Sequence, residues 1–382
     1  MRRILIPLCL MIGSHVVSGQ RAYQTEGPNR LFVEGKELFS LKNYSGCIDK
    51  LSAYKLQATD ADLIQEADYM LVAAAYEQGR PNAAELLESY LEAYPASRHA
   101  DEVAFLIGST YFGEGWYAEA IQWFNRSNID VLSAEQQEAY SFRLAYALLQ
   151  QDDLEKARGY FARIAQIGKR YKEASTYYMA YIDYAKGRYP EALTAFSRLK
   201  DHPEFKEQSL YYITQIYFIQ NKYSKVISEG KQLLTAYPNS QNNSEVYRMM
   251  GNSAYHVGNE AQAIEWLSQY VATTDSPLRG DLYLLGVCYY NKGEYAKAVN
   301  QLGKTVSGDD ALTQNAYMYL GQSYLKLKDK NNARMAFESA ATASFDKQVK
   351  EAAMYNFALF IHETNFTGFI QSVTIFEDFL ND

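Results

Sequence analysis

The sequence has little of what most chemistry needs. It holds three cysteines in 382 residues, and one of them, Cys9, lies inside an apolar N-terminal run. The other two, Cys47 and Cys288, are too sparse for a disulfide framework or for a zinc site built on closely spaced ligands. Both read as free, buried thiols. Five histidines are scattered, with no H-x-x-x-H or H-E-x-x-H spacing. There is no phosphate loop, no G-x-G-x-x-G and no G-x-S-x-G. Acid pairs such as Asp60/Asp62 and Asp309/Asp310 fall in polar connections and read as solvated turn residues. The reading is therefore not an enzyme: no catalytic residue, no cofactor and no metal is predicted. Lysine and arginine nowhere cluster and the net charge is −8, which argues against nucleic acid as a partner. Proline is scarce at 8, which leaves long stretches free to be helical. Beyond the N-terminus no apolar run is long enough for a transmembrane segment.

What is present is apolar and aromatic. Hydrophobic residues make up 48% and charged residues 21%, a globular balance, and there are 34 tyrosines. The chain opens "MRRILIPLCLMIGSHVVSGQ". Arg2 and Arg3 precede a short apolar stretch from Ile4 to Ile12, and small residues lead to a cut between Gly19 and Gln20. This reads as a secretory signal peptide over residues 1–19, too short to span a bilayer. Leu8 stands before Cys9 where a lipidation motif wants a small residue.

The stretch "LYLLGVCYYNKGEYAKAV", residues 282–299, is core-like yet broken by a polar turn at Gly293. It recurs. Comparable turns fall at Gly79, Gly115, Asp152, Gly187, Asn221, Gly258 and Lys328, at spacings of 34 to 37 residues. A small residue follows each turn by five: Ala84, Ala120, Ala157, Ala192, Val226, Ala263, Ala298, Ala333. A bulky one comes four later, as at Phe124, Phe161, Phe196, Leu267, Leu302 and Phe337. The small residue lets a second helix approach the first, and the bulky one fills the groove one turn on. Each period is thus two short antiparallel helices, with the turn residue in a left-handed conformation.

These motifs resemble the tetratricopeptide repeat. "LYLLGVCYYNKGEYAKAVNQL" carries the family's Leu285-Gly286, Tyr289, Gly293, Tyr295, Ala298 and Leu302. "AFLIGSTYFGEGWYAEAIQWF" carries Ile107-Gly108, Tyr111, Gly115, Tyr117, Ala120 and Phe124. Gly35, Tyr44 and Cys47 mark a divergent first unit. The resemblance implies an all-α, right-handed superhelical solenoid of about nine to ten tandem hairpins over residues 20–382. The final "TIFEDFLND" stops where a Tyr-Pro should follow, so further repeats or a capping partner are expected beyond it. The runs after Pro95 and Pro238 look like bacterial envelope members, the outer-membrane assembly lipoproteins and the Tol–Pal coordinators. This implies a secreted protein of the periplasm or outer membrane.

In that family the first helices line a concave groove. Residues three before and four after the matched glycine position share one helical face. The first series is Tyr69, Phe105, Phe142, Tyr177, Tyr211, Arg248, Tyr283 and Met318. The second is Tyr76, Phe112, Leu149, Tyr184, Phe218, Tyr255, Tyr290 and Leu325, with Tyr181 between the two. Such a ladder either packs neighbouring helices or forms a sticky groove for peptide or sugar. Arg248 and Asn252 are its polar exception and resemble part of a carboxylate clamp. The implied function is a non-catalytic scaffold that holds an extended peptide or a helix of a protein partner in the cell envelope. The alternative is a glycan-binding module of an outer-membrane uptake system.

Overall fold

The computed structural model describes residues 29–364, with Val373, Thr374 and Glu377. The signal peptide predicted over 1–19 and the C-terminal "TIFEDFLND" lie outside the described residues as continuous segments. Among the described residues there are nineteen α-helices, one 3-10 turn at Ile129–Val131 and no strand. The protein is an all-α solenoid of helical hairpins. Its contacts divide it into two compact units that meet at Ile182 and Asp183, within one helix.

The first unit contains α1 (Arg30–Ser40), α2 (Tyr44–Lys55), α3 (Ala61–Glu77) and α4 (Ala83–Ala93). It continues with α5 (Ala100–Gly113), α6 (Tyr117–Phe124), α7 (Ala134–Gln150) and α8 (Leu154–Ile167). Helix α9 (Lys172–Ala185) carries the division. The second unit contains α10 (Tyr189–Leu199), α11 (Lys206–Ile219), α12 (Tyr223–Ala236), α13 (Asn243–His256) and α14 (Glu260–Thr273). It ends with α15 (Arg279–Asn291), α16 (Tyr295–Leu302), α17 (Ala311–Lys326), α18 (Lys330–Thr342) and α19 (Lys347–Thr364). Odd helices open a hairpin and even helices close it.

Among the described residues nine have positive φ, between +55° and +82°, and each joins an odd helix to the next even one. Eight are the turn residues read from the period, and the ninth is Lys42, in the divergent first unit. The local bonding is the same at each. At Gly293 the N–H donates to Tyr290 C=O at 2.9 Å, and the next N–H, of Glu294, reaches back to Tyr289 C=O at 2.8 Å. Two carbonyls left over by the ending helix are thereby satisfied. At several turns the following residue caps the next helix, as Asp153, Asn259 and Asp329 do by accepting from N–H groups three residues on. One tight turn closes the first helix and starts the second.

Only glycine takes a left-handed conformation without a steric penalty. Gly293→Ala is therefore expected to lower stability by about 1 kcal/mol. Lys328→Gly, at φ +64°, should raise the urea midpoint by a smaller amount, because glycine also gains freedom when unfolded. Equal midpoints for both variants and the parent would contradict this account of the turn.

The small-then-bulky rule holds in depth. Ala120, Ala157, Ala192, Val226, Ala263, Ala298 and Ala333 have no exposed surface, and Cys47 fills the same place in the first hairpin. Phe124, Phe161, Phe196, Leu267, Leu302 and Phe337 are likewise fully buried. Ala84 is the exception. The structure buries Ala83 and Leu87 instead, one place earlier. A tight turn closed by Ala83 N–H on Arg80 C=O precedes α4 and slides its register by one residue.

The matched glycines let helices touch. A Cβ built on Gly286 would lie 2.6 Å from Leu302 Cγ, and one on Gly108 would lie 2.7 Å from the Phe124 ring. Cys47 and Cys288 are free and fully buried, and burial pushes the thiols up to about 11 for Cys47 and about 12 for Cys288. At neutral pH both are neutral, small core groups.

Candidate functional site

Within each unit, successive odd helices touch one another, while successive even helices make no comparable contact. First helices that pack on each other from one repeat to the next, where the second helices do not, lie on the inner side of a curve. The odd helices therefore form the inner face of each unit, and that face is where a ligand can be surrounded.

In the first unit, Tyr69 and Phe105 belong to the core, at 7% and 3% exposure. Tyr76, Phe112, Tyr177 and Tyr181 stand half-buried on the inner face. Phe112 meets Tyr146 edge-on at 5.6 Å, and Tyr146 meets Tyr178 at 5.2 Å. Phe142 stacks on Tyr171 at 4.5 Å. The buried Tyr69 ring lies flat on His99, 3.6 Å between centroids and 3° from parallel. Its hydroxyl donates to Glu102 at 2.7 Å, and Gln136 donates to the other Glu102 oxygen at 2.6 Å. Glu66 holds both Arg98, at 2.6 Å, and His99 Nε2, at 2.9 Å. Burial opposes a charge on His99, but the Glu102 and Glu66 carboxylates outweigh it and keep its pKa above the ordinary value. His99 in turn is the main cause that holds Glu102 below the usual carboxylate range. This end of the face is a closed polar network.

In the second unit, Tyr184, Tyr211, Phe218, Tyr255, Tyr283 and Tyr290 are half-buried. Tyr283 and Tyr290 both meet Tyr319 edge-on, at 6.0 and 5.3 Å. Tyr184 meets Tyr212 at 5.0 Å. Burial, with the Glu245 carboxylate nearby, pushes the Tyr211 hydroxyl up to about 12. Its oxygen accepts from Gln215 at 2.8 Å. Burial raises Tyr283 as well. These hydroxyls keep their protons at any physiological pH and act as hydrogen-bond groups only.

Arg248 and Asn252 are occupied from within. Arg248 grips Glu245 with two bonds of 2.7 and 2.6 Å, lies 3.7 Å from Asp281 and sits over the Phe218 ring. Asn252 donates to Asp281 at 2.9 Å. A guanidinium that already has two carboxylates is not a ready clamp for a third. These two residues, whose sequence resembles part of a carboxylate clamp, thus belong to an internal ion network.

Position matters more than the two chosen series allow. The residue two before the glycine position supplies Arg143, Tyr178, Tyr212 and Tyr319, which reach back to the preceding hairpin. Tyrosine recurring there in three units was the available signal. Among the described residues, no group of three or more His, Cys, Asp or Glu side chains is placed to hold a metal ion. None of the described helices is long and apolar enough to cross a membrane.

Comparison with known families agrees with this geometry. Residues 24–116 match the model of a family described as outer membrane lipoprotein. Residues 256–340 match that of subunit 3 of the anaphase-promoting complex, or cyclosome. The hairpin fold is that of the tetratricopeptide repeat. Such repeats are scaffolds for contact between proteins. No curated protein matches the sequence. Among solved structures, apo RapI is 13% identical, covers 83% of this chain and 97% of its own, and has a TM-score of 0.48. A tetratricopeptide protein from Parabacteroides merdae is 15% identical over 67% of this chain and 98% of its own, with a TM-score of 0.42. The C-terminal part of one from Cytophaga hutchinsonii is 16% identical over 70% and 98%, also at 0.42. The repeat fold rests on the hairpin geometry and not on these distant likenesses.

Proposed function

We propose that this repeat protein is a non-catalytic scaffold of the bacterial cell envelope, and that it holds an extended peptide or a helix of a protein partner against its odd helices. The observation that carries the reading is the series of half-buried aromatics on the inner face of each unit. Tyrosine and phenylalanine there offer rigid contact area, and tyrosine adds a polar tip, which suits side chains of a bound segment. The envelope is supported by the lipoprotein family model over residues 24–116 and by the export-like N-terminal sequence. The candidate groove residues are Tyr76, Phe112, Tyr177, Tyr181, Tyr184, Tyr211, Phe218, Tyr255, Tyr283 and Tyr290. Tyr69, Phe105, Arg248 and Asn252 support them from beneath or beside.

The test is photo-crosslinking in the native host, with the crosslinking residue at Phe112 and a control at the exposed Glu119 on α6. A protein adduct from position 112 that is missing at 119 is the expected result. The same adducts from both positions would remove the groove from the account. No protein adduct at 112, together with a melting shift in an oligosaccharide panel, would transfer the face to glycan binding.

A further inference from the structure

Five arginines are half-buried among the described residues: Arg143, Arg158, Arg188, Arg248 and Arg279. Three of them are neutralised, Arg188 by Asp183, Arg248 by Glu245 and Arg279 by Asp310. Arg143 is not. It projects from α7 onto the inner face of the first unit, two residues before the matched position at Ala145. Its Nη1 donates to Ser109 Oγ at 2.5 Å and lies 3.4 Å from the Tyr76 hydroxyl, two hairpins back. The guanidinium sits 5.6 Å from the Phe105 ring centre. Among the described residues no carboxylate pairs with it. Two hydroxyls and a ring face hold it in place, and among the described residues Nε and Nη2 have no acceptor.

A half-buried cation is normally matched by an anion, because partial loss of water is compensated only by opposite charge. Here no carboxylate of the described residues supplies the match, while the arginine is fixed beside Tyr76 and Phe105. Tyr76 touches it, and Phe112, one turn past Ser109 on α5, meets Tyr146, one turn past Arg143 on α7. A guanidinium presents parallel N–H donors that suit a carboxylate better than any neutral acceptor.

We propose that Arg143 anchors an acidic side chain, aspartate or glutamate, of the segment that occupies the groove. The inference rests on the groove reading above and gives the partner a chemistry: a carboxylate flanked by apolar or aromatic residues. The aromatic face continues past Arg143 in both directions, to Tyr76 and to Tyr178, so the bound chain runs through the position rather than ending there. The carboxylate therefore comes from a side chain and not from a free C-terminus.

The experiment is selection from a random peptide library, displayed internally so that both peptide ends are blocked, against the full chain and against its Arg143→Gln variant. The parent should enrich sequences that pair Asp or Glu with aromatics. Arg143→Gln should keep the aromatic preference and lose the acidic one, and Arg143→Lys should retain part of it. In a selected peptide, Glu→Gln should weaken binding to the parent about tenfold and leave binding to Arg143→Gln unchanged. Thermal melting of each variant shows that the hairpins are intact. The same sequences enriched by parent and Arg143→Gln would overturn the proposal, as would acid dependence seen only in peptides with a free C-terminus. The groove reading has its own control. Acid-dependent or not, peptides indifferent to Phe112→Ala would show that the inner face is not the site, and an empty selection would count against both.

Discussion

Phe124→Ala is expected to destabilise the hairpin of α5 and α6 by about 3–5 kcal/mol, the usual range for deleting a buried phenylalanine. The ring has no exposed surface and lies against Gly108, Phe105 at 6.2 Å and Tyr140 at 5.3 Å. The loss should be local at first, because each hairpin of a solenoid contacts only its neighbours. Hydrogen exchange should therefore speed up most between Ala100 and Phe124. The partner substitution sharpens the test. Gly108→Leu alone should also destabilise the protein, since even its Cβ would meet the Phe124 ring at 2.7 Å. Placed together with Phe124→Ala, the leucine side chain has the vacated volume to enter. The double variant should be more stable than the sum of the two penalties allows, by about 1 kcal/mol or more. Recovery will be partial, because a Cβ at residue 108 still meets the Ala120 carbonyl oxygen at 3.2 Å. Strictly additive urea midpoints would show that the glycine and the phenylalanine do not share one space.

That pair was readable in the sequence because its cause is local and repeated. A left-handed turn, a small residue five on and a bulky one four later recur at a fixed period, and all three are demanded by helix–helix approach. Even Asp152 and Asn221, which tolerate the left-handed conformation less freely than glycine, and Lys328, which suits it poorly, kept their places because the period marked them. Lys42 and the register slip at Ala83 escaped for the opposite reason. In both, a turn departs from the pattern, and only coordinates show how the chain closes it. The side-chain networks were hidden more deeply. Tyr69 with Glu102, Glu66 with His99, Glu102 with Gln136 and Ser109 with Arg143 join residues 33 or 34 apart, one repeat ahead. Reading the sequence in columns finds what is common to the repeats. These partnerships are particular to one interface each, so a column shows only the polar residue and not its match.

Arg248→Met carries the second large expected effect. Asp281 is 3% exposed, and its charge is compensated by Arg248 at 3.7 Å and by a bond from Asn252. Burial already holds the Asp281 pKa above the ordinary aspartate value, against the opposing pull of Arg248. An acid whose folded pKa is raised binds its proton more tightly when folded. Its contribution therefore favours folding at low pH and declines as pH rises from the unfolded value through the folded one. Removing Arg248 takes away the main opposing influence, so the folded pKa climbs further and the window widens upward. At neutral pH the variant keeps an uncompensated buried carboxylate, and the loss is expected to be about 3–5 kcal/mol. As pH falls, Asp281 takes up its proton in the folded protein with or without the arginine, and the gap between the two should narrow. Asp281→Asn placed in the Arg248→Met background removes the charge altogether and should recover most of the neutral-pH loss. Urea titrations of the four proteins at pH 4 and pH 7 decide the matter. A penalty that is the same at both pH values, or that Asp281→Asn leaves untouched, would mean that Arg248 acts through Glu245 and its packing on Phe218 rather than through the buried aspartate.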